Sequence, residues 1–465
     1  MQFKDFYKEN QERFIETLKE FLRFKSISTD EKYKSEIKAI LNWLDEYFKD
    51  LGFATKTLLP KKPKRGSKAN PVFYAEYKVD SSLPTVMVYG HYDVQPPDPL
   101  DQWNSDPFDP VIKDNKIYAR GANDNKGQIF ANMIAIEYYI KHTADKKYNI
   151  KVFIEGEEEI GGITTDEIIE SREFDNELTS DYLWISDGPW IAEDKPSVVY
   201  ALRGIAYYDL HLKVMPHDIH SGIYGNVVLN PANLAGHIIY KLKDIAKNRI
   251  RIPGIYKKVR KPSKYELELV AKASPTWDEI KKETNTQAVT KYVRKGQEFP
   301  PLALTGLKPS LDVHGIQTGF TQKGGLKTII PAEALVKFSI RLVPYLKPEY
   351  VYNQLRKYLV RIIPKGVEWE LNDLGSSAPF LMDPQDPAVK RLVDIMSKAF
   401  DKQAVLVPEG GSIGLVNTFA RVYNPKILMP NYGLPDDGLH SPNEKFNLSQ
   451  LEGGAKTLLG FLSGF

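Results

Sequence analysis

Apolar positions recur every three or four residues from 11 to 24 and again from 35 to 50, the spacing of amphipathic helices, and Gly52 stands where the second would stop. The pattern then changes. Thr85-Val86-Met87-Val88-Tyr89 is a short apolar run ending at Gly90, as in a buried strand, and residues 127–141 return to helical spacing. Tyr148 to Ile154 and Tyr182 to Ile185 read as further buried strands, and Ile427-Leu428-Met429 as one more near the far end. Strands apolar on both faces, alternating with helices, predict an α/β domain with a mixed, mostly parallel sheet.

Between these blocks the period is two. Ala206 to Val214 and Leu335 to Val343 alternate apolar and polar residues, as half-exposed antiparallel strands do. This predicts an inserted α+β domain over 204–377, with the first domain built from 1–203 and 378–465. Two or more domains also suit a chain of 465 residues, since one domain takes about 150. Residues 250–310 are rich in lysine, proline and polar residues without clear strands, and are expected to form an extended excursion from the insert.

Composition removes several function classes. The 63 basic and 60 acidic residues leave a net charge of +3, with no sustained basic face for nucleic acid. The runs at Lys61-Lys62-Pro63-Lys64-Arg65 and Lys257-Lys258-Val259-Arg260-Lys261 are short and sit in proline-containing segments, as solvated loops do. There is no cysteine, so disulfides, thiolate nucleophiles and thiolate-held zinc are excluded, and any metal has to be bound by imidazole and carboxylate. The first 25 residues lack the apolar core of a signal peptide, and no stretch approaches the ~18 apolar residues of a membrane span. A cytoplasmic protein without a membrane partner is expected.

In open α/β sheets ligands bind beyond the carboxyl ends of the strands. Metal-capable side chains stand there in this sequence. His91 and Asp93 follow the 85–89 run, and Asp124 precedes the helical segment at 127. Glu157-Glu158-Glu159 follow 148–154, Asp187 follows Trp184-Ile185-Ser186, and His440 arrives from the far segment Asp436-Asp437-Gly438-Leu439-His440-Ser441. Each alone is weak: an isolated His-x-Asp is more often a surface turn, and a glutamate triplet more often a solvated run. But the triplet lies between an apolar strand and Gly161-Gly162, where a solvated helix face would be an odd continuation. Together these groups describe a pocket suited to two divalent ions sharing a carboxylate.

Gly90-His91-Tyr92-Asp93-Val94, the Arg-Gly-Ala-x-Asp-x-Lys-Gly segment around Asp124, the Glu-Glu-x-Gly ending at Gly161 and the Ser186-Asp187 pair resemble the dinuclear zinc peptidases and deacylases. That family includes carnosinase, glutamate carboxypeptidase, aminoacylase and succinyl-diaminopimelate desuccinylase. The order is the same from the first helix to Phe446. The resemblance implies that His91 and Asp187 complete one metal site, Glu159 and His440 the other, and Asp124 bridges both. It further implies that Asp93 orients His91 through its second ring nitrogen and that Glu158 is the general base. Glu159 lies two residues before glycine, the family position of the ligand, which leaves Glu157 a bystander. The implied cofactor is a pair of divalent ions, zinc first and manganese as the alternative.

Pro309-Ser310-Leu311-Asp312-Val313-His314-Gly315-Ile316, Lys327-Thr328-Ile329-Ile330-Pro331 and Phe338-Ser339-Ile340-Arg341-Leu342-Val343-Pro344 look like the long lid of the carnosinase and cytosolic nonspecific dipeptidase branch. In that branch the insert is a lid and dimerisation domain. His220 and Thr328 would then act in trans in a homodimer, with His220 near the scissile carbonyl oxygen. Arg341 would clamp the substrate's free carboxylate, and Ser412 would line the Gly410-Gly411-Ser412 substrate loop. Hydrolysis of dipeptides or short peptides is the implied reaction. An N-acyl-amino-acid deacylase or a carboxypeptidase of the same superfamily is the alternative. Two positions depart from the pattern: Asn125, where many relatives carry an acid, and Gly188-Pro189-Trp190 after Asp187. His142, His211, His217, His237 and His314 read as structural or exposed.

Overall fold

The computed structural model describes residues 1–63, 66–294 and 297–463. Lys64 and Arg65 of the first basic run therefore lie outside the described residues. The chain divides into two compact units: Met1–Tyr200 with Met382–Val407 and Gly414–Phe465, and Ala201–Leu381 with Pro408–Ile413. The division thus falls a few residues outside 204 and 377, and the segment Gly410-Gly411-Ser412 goes with the second unit.

The first unit is built on a mixed sheet ordered Ala54–Leu58, Val72–Tyr77, Asn149–Glu155, Thr85–His91, Tyr182–Ile185, Lys426–Pro430 and Ser197–Leu202. The four central strands, Asn149–Glu155 to Lys426–Pro430, run parallel, with antiparallel pairs outside them. Asn149–Glu155 is buried at every position and Thr85–His91 at all but its first. This explains their unbroken apolar runs, since helices cover both faces. Lys126–His142 is buried nearly all round and packs against the helix Leu448–Ser463. Phe3–Arg23 and Lys34–Asp50 each bury one stripe, Phe14, Leu18 and Phe21 in the first and Ile37, Leu41 and Leu44 in the second. Gly52 sits at φ +87° just past the second, the left-handed position that ends helices and favours glycine.

Parallel register pairs His91 with Glu155. Both strands therefore end at the same level, and the residues just beyond them, Asp93 on one side and Glu157 to Glu159 on the other, emerge side by side.

The second unit carries a four-stranded antiparallel sheet ordered Ser310–Thr318, Glu333–Leu342, Gly204–Lys213 and Glu368–Ser377. The alternation seen in the sequence has its cause here. Ala206, Tyr208, Leu210 and Leu212 face a core with Leu234 and Ile238 of the helix Pro231–Leu242 and Leu355 and Leu359 of Pro348–Ile362. The excursion is more regular than its composition suggests. Its helices Lys264–Ala273 and Trp277–Glu283 each begin with a capping box, Ser263 with Glu266 and Thr276 with Glu279. Lys257 and Lys258 lie exposed in the turn Ile255–Lys258.

Candidate active site

Strand ends position this site. His91 is the last residue of its strand and wholly buried. Its Nδ1 lies 3.0 Å from the Asp93 backbone oxygen and 3.4 Å from Asp93 Oδ1. Both are acceptors, so Nδ1 carries a proton and Nε2 is the nitrogen left free to ligate. Nε2 faces Asp124 Oδ1 at 3.0 Å and Asp187 Oδ1 at 3.8 Å. The other Asp124 oxygen, Oδ2, lies 2.9 Å from His440 Nε2, which is also 3.3 Å from Glu159 Oε2.

The donor set fits divalent ions. An imidazole nitrogen and a carboxylate oxygen this close need a proton or a metal ion between them, and a divalent ion in that place would meet the remaining carboxylates as well. Donor atoms around a tetrahedral ion with bonds of about 2.0–2.1 Å lie about 3.3–3.4 Å apart, within the spread observed. Two groups able to hold an ion result, His91 with Asp124 and Asp187, and Asp124 with Glu159 and His440, sharing Asp124.

The electrostatics point the same way. Burial works to lower the His91 imidazole, yet the carboxylates of Asp124, Asp187 and Asp93 hold it well above its usual range. His440 is pushed up to about 10 by its contacts with Asp124 and Glu159. Burial raises the carboxyls of Glu158, Glu159 and Asp187. It works to raise Asp124 too, but the imidazoles of His440 and His91 more than offset it and the net shift is downward. Five carboxylates around two imidazoles form an excess of negative charge that cations relieve.

Several neighbours do more than the sequence revealed. The Asp93 carboxylate accepts the backbone N–H of Glu158 through Oδ1 (3.3 Å) and of Glu159 through Oδ2 (3.2 Å), so it fixes the turn that carries both acids as well as His91. Glu157 is no bystander. Buried, it accepts from the Asn70 and Thr164 backbones and from the Thr164 hydroxyl (3.0, 3.1 and 2.6 Å), anchoring that turn from behind. Gln95, which nothing but its spacing of two from Asp93 signalled, donates to Glu159 Oε2 at 2.8 Å. Asn125 donates to Asp187 Oδ1 at 2.9 Å and to the Ser186 carbonyl at 2.7 Å. An ionised acid in its place would face two acceptors. By contrast, the Glu158 carboxylate takes no hydrogen bond among the described residues. The turn itself needs glycine: Gly161 and Gly162 take φ of +92° and +62°.

The expected substrate residues form two groups in the second unit. His220 pairs with Ile329 in a short antiparallel ladder, and the Thr328 carbonyl accepts from Ser221 N at 3.1 Å, so His220 and Thr328 are brought together, both exposed. His220 Nδ1 accepts from Gly222 N at 3.0 Å. Separately, Arg341 Nη1 donates to Ser412 Oγ at 3.1 Å, and Ser412 Oγ donates to the Arg203 carbonyl at 2.5 Å. Arg203 in turn donates from Nε to the Gly410 carbonyl at 3.1 Å, tying down the glycine loop. Elsewhere the His142 ring packs at a tilt against Phe6 and Tyr138, and His314 meets Ser339 Oγ at 2.8 Å. Among the described residues neither joins a group able to hold a metal, and no helix is long and apolar enough to cross a membrane.

The chain is 30% identical over 464 residues to the Beta-Ala-His dipeptidase of Mus musculus, covering 97% of this chain and 92% of that one. It is 31% identical over 481 residues to the Cys-Gly metallodipeptidase of Candida albicans, covering 98% and 96%. Among solved structures, an M20-family metallo-carboxypeptidase from Sulfolobus solfataricus superposes with a TM-score of 0.84 at 30% identity, covering 97% of this chain and 98% of that one. Human carnosine dipeptidase 1 superposes with a TM-score of 0.81 at 28% identity, covering 99% and 97%. The pattern of peptidase family M20/M25/M40 matches residues 87–464, and the chain belongs to that family.

Proposed function

We propose that the protein is a dinuclear metallodipeptidase that cleaves dipeptides and short peptides bearing a free C-terminal carboxylate. The observation that carries this is the pair of three-residue groups sharing Asp124, with the unbonded Glu158 carboxylate on the same turn as Glu159. His91 and Asp187 would hold one ion, Glu159 and His440 the other, and Asp124 would contribute to both. Zinc is the first choice for such imidazole and carboxylate ligands, and manganese the second. When bound, two such ions polarise the scissile carbonyl and acidify the attacking water. Glu158 takes the proton from that water and returns it to the leaving amine. A base doing this needs a carboxylate not already engaged by protein donors. Asp93 keeps His91 in its ligating tautomer and holds the Glu158 turn.

Arg341, steadied by Ser412, holds the substrate carboxylate, for which a guanidinium is suited. His220 and Thr328 act on the substrate from the second copy of a homodimer, His220 as a donor to the developing oxyanion. Their exposure and mutual placement support this, as does the resemblance to dipeptidases. A cytoplasmic location belongs to the same reading. The carboxypeptidase alternative draws on the Sulfolobus solfataricus structure.

The test is hydrolysis of free dipeptides, tripeptides, longer peptides and N-acetylated amino acids by metal-free protein resupplied with zinc or manganese, with Glu158→Ala as control. Metal-dependent dipeptide cleavage, lost in the control, is expected. Release of C-terminal residues only from longer peptides would replace the substrate class with the carboxypeptidase one, and cleavage of the acylated substrates alone with the deacylase one. Mixing inactive His220→Ala and Arg341→Ala proteins should restore part of the activity if His220 acts in trans.

A further inference from the structure

Two of the segments that deliver ligands come from distant parts of the chain. Asp124 lies in the loop before Lys126–His142, and His440 lies in the segment 436–445. The His440 side chain is 56% exposed, so no surrounding core holds it, and its backbone takes a left-handed φ of +58°. Its place depends on how its own segment is tied down.

That segment is closed by Lys445, whose backbone N–H donates to the Asp437 carbonyl at 2.9 Å and whose ammonium reaches Asp437 Oδ1 at 2.6 Å. Asp437 Oδ2 in turn accepts from Leu434 N at 2.6 Å. Between the closure and His440 stands Glu444, a wholly buried carboxylate. Its side chain points away from its own segment and into the Asp124 loop. Oε2 accepts from Arg120 Nη1 at 2.7 Å and from Gly121 N at 2.9 Å. Oε1 accepts from Asn123 N at 2.9 Å and from Asp124 N at 3.0 Å. The Glu444 carbonyl accepts from Ala119 N at 3.1 Å, so backbone and side chain both join the two segments.

We propose that Glu444 is a positioning residue that sets the Asp124 carboxylate and the His440 imidazole at their mutual distance, and thereby the affinity of the site for its second ion. This rests on the assignment of Asp124 and His440 as metal ligands. Four donors, two on each oxygen, converge on one side chain. Only an acceptor-only group, a carboxylate, satisfies all four. A glutamine would turn an NH2 toward two of them, either at Gly121 and Arg120 or at Asn123 and Asp124 itself. An aspartate would keep the acceptors but shorten the tie by one methylene and draw the His440 segment toward the loop. Groups that orient metal ligands in this way change metal affinity by about 10- to 100-fold when altered.

The experiment is titration of metal-free protein with zinc against a chromophoric chelator, for the wild type, Glu444→Gln and Glu444→Asp. Leu44→Ala, a buried core change on the helix Lys34–Asp50, controls for lost stability, and circular dichroism verifies each fold. Glu444→Gln is expected to bind the second zinc about 10- to 100-fold more weakly, with KM nearly unchanged and kcat recovering as zinc is raised. Glu444→Asp should be intermediate, and Leu44→Ala should bind zinc as the wild type does at comparable thermal destabilisation. If Glu444→Gln does not fold, Glu444→Asp decides alone. Wild-type zinc affinity in the folded Glu444 variants would overturn the proposal and leave the dipeptidase reading standing. A wild type that binds no zinc or manganese would overturn the ligand assignment and this proposal with it.

Discussion

Asp93→Asn removes one charge and no volume, and the geometry says where the damage falls. The native carboxylate takes three contacts: Glu158 N at 3.3 Å and His91 Nδ1 at 3.4 Å on Oδ1, and Glu159 N at 3.2 Å on Oδ2. An asparagine has one acceptor oxygen. Its better orientation keeps the oxygen toward Glu158 and His91, and so turns its NH2 against the Glu159 backbone N–H. A buried donor left opposed costs about 1–3 kcal/mol. The metal-free protein escapes that cost by letting the turn move, and binding has to restore it. The cost therefore reappears as weaker binding of one ion, by roughly 5- to 150-fold at 1.4 kcal/mol per tenfold. The affected ion is the one held by Glu159 and His440, while the His91 and Asp187 ion keeps most of its affinity. Stepwise zinc titration of the metal-free variant measures both. Wild-type affinity at both steps, or a loss confined to the His91 ion, would refute the reasoning.

The same contacts set several other outcomes. Glu158→Gln should lower kcat by about 10²–10⁴ with stability and zinc affinity close to wild type, because its carboxylate holds nothing in place; calorimetry beside steady-state kinetics separates the two. Gly161→Ala meets no atom within 4 Å, so its cost is the left-handed backbone alone, about 1–2 kcal/mol, read as a lower unfolding midpoint and a lower kcat as the turn shifts. Chelation should lower the unfolding temperature, since an ion present at 1,000 times its Kd adds about 4 kcal/mol; an unchanged scan in chelator would argue against resident metal. In the second unit, burial works to raise Glu266, but its pairing with Arg260 and the Ser263 backbone N–H hold it below its usual 4.5. The stability it contributes is fully present above about pH 4.5 and is lost as the pH falls through the lowered folded value. Glu266→Gln should flatten that acid limb in denaturant unfolding of the full chain.

How much of the fold and site was legible depended on which physics each element answers to. Thr85–His91 and Tyr182–Ile185 were readable because burial on both faces writes an apolar run, and Lys126–His142 because its length leaves only a helix. Ala54–Leu58, with a single buried residue among five, carries almost no such signal. The helices at 264 and 277 were missed although their capping boxes, Ser263 to Glu266 and Thr276 to Glu279, are written plainly; lysine and proline content outweighed them. His91, Asp93, Glu158, Glu159 and Asp187 could be picked out because each stands just past or at a strand end, Asp124 and His440 only through the motifs around them. The supports could not. Glu157 looks like its two neighbours, and its role appears only when Asn70, 87 residues away, comes beside it. Glu444 has no local mark at all.

The sheet order has a consequence for how the chain is made. Lys426–Pro430 lies between Tyr182–Ile185 and Ser197–Leu202, so a strand synthesised late belongs between two strands that emerge early. The second unit is almost continuous in sequence, lacking only Pro408–Ile413, and can collapse on the ribosome largely from local contacts. The first unit has to wait with an open seam between two apolar strands until the late strand fills it, a non-local closure of the slow kind. During that interval the nascent chain exposes unpaired strand edges of the sort that aggregate or recruit chaperones. His440 and Glu444 lie beyond that strand in the sequence, so the group of Asp124, Glu159 and His440 is complete only once the chain past the late strand has been made.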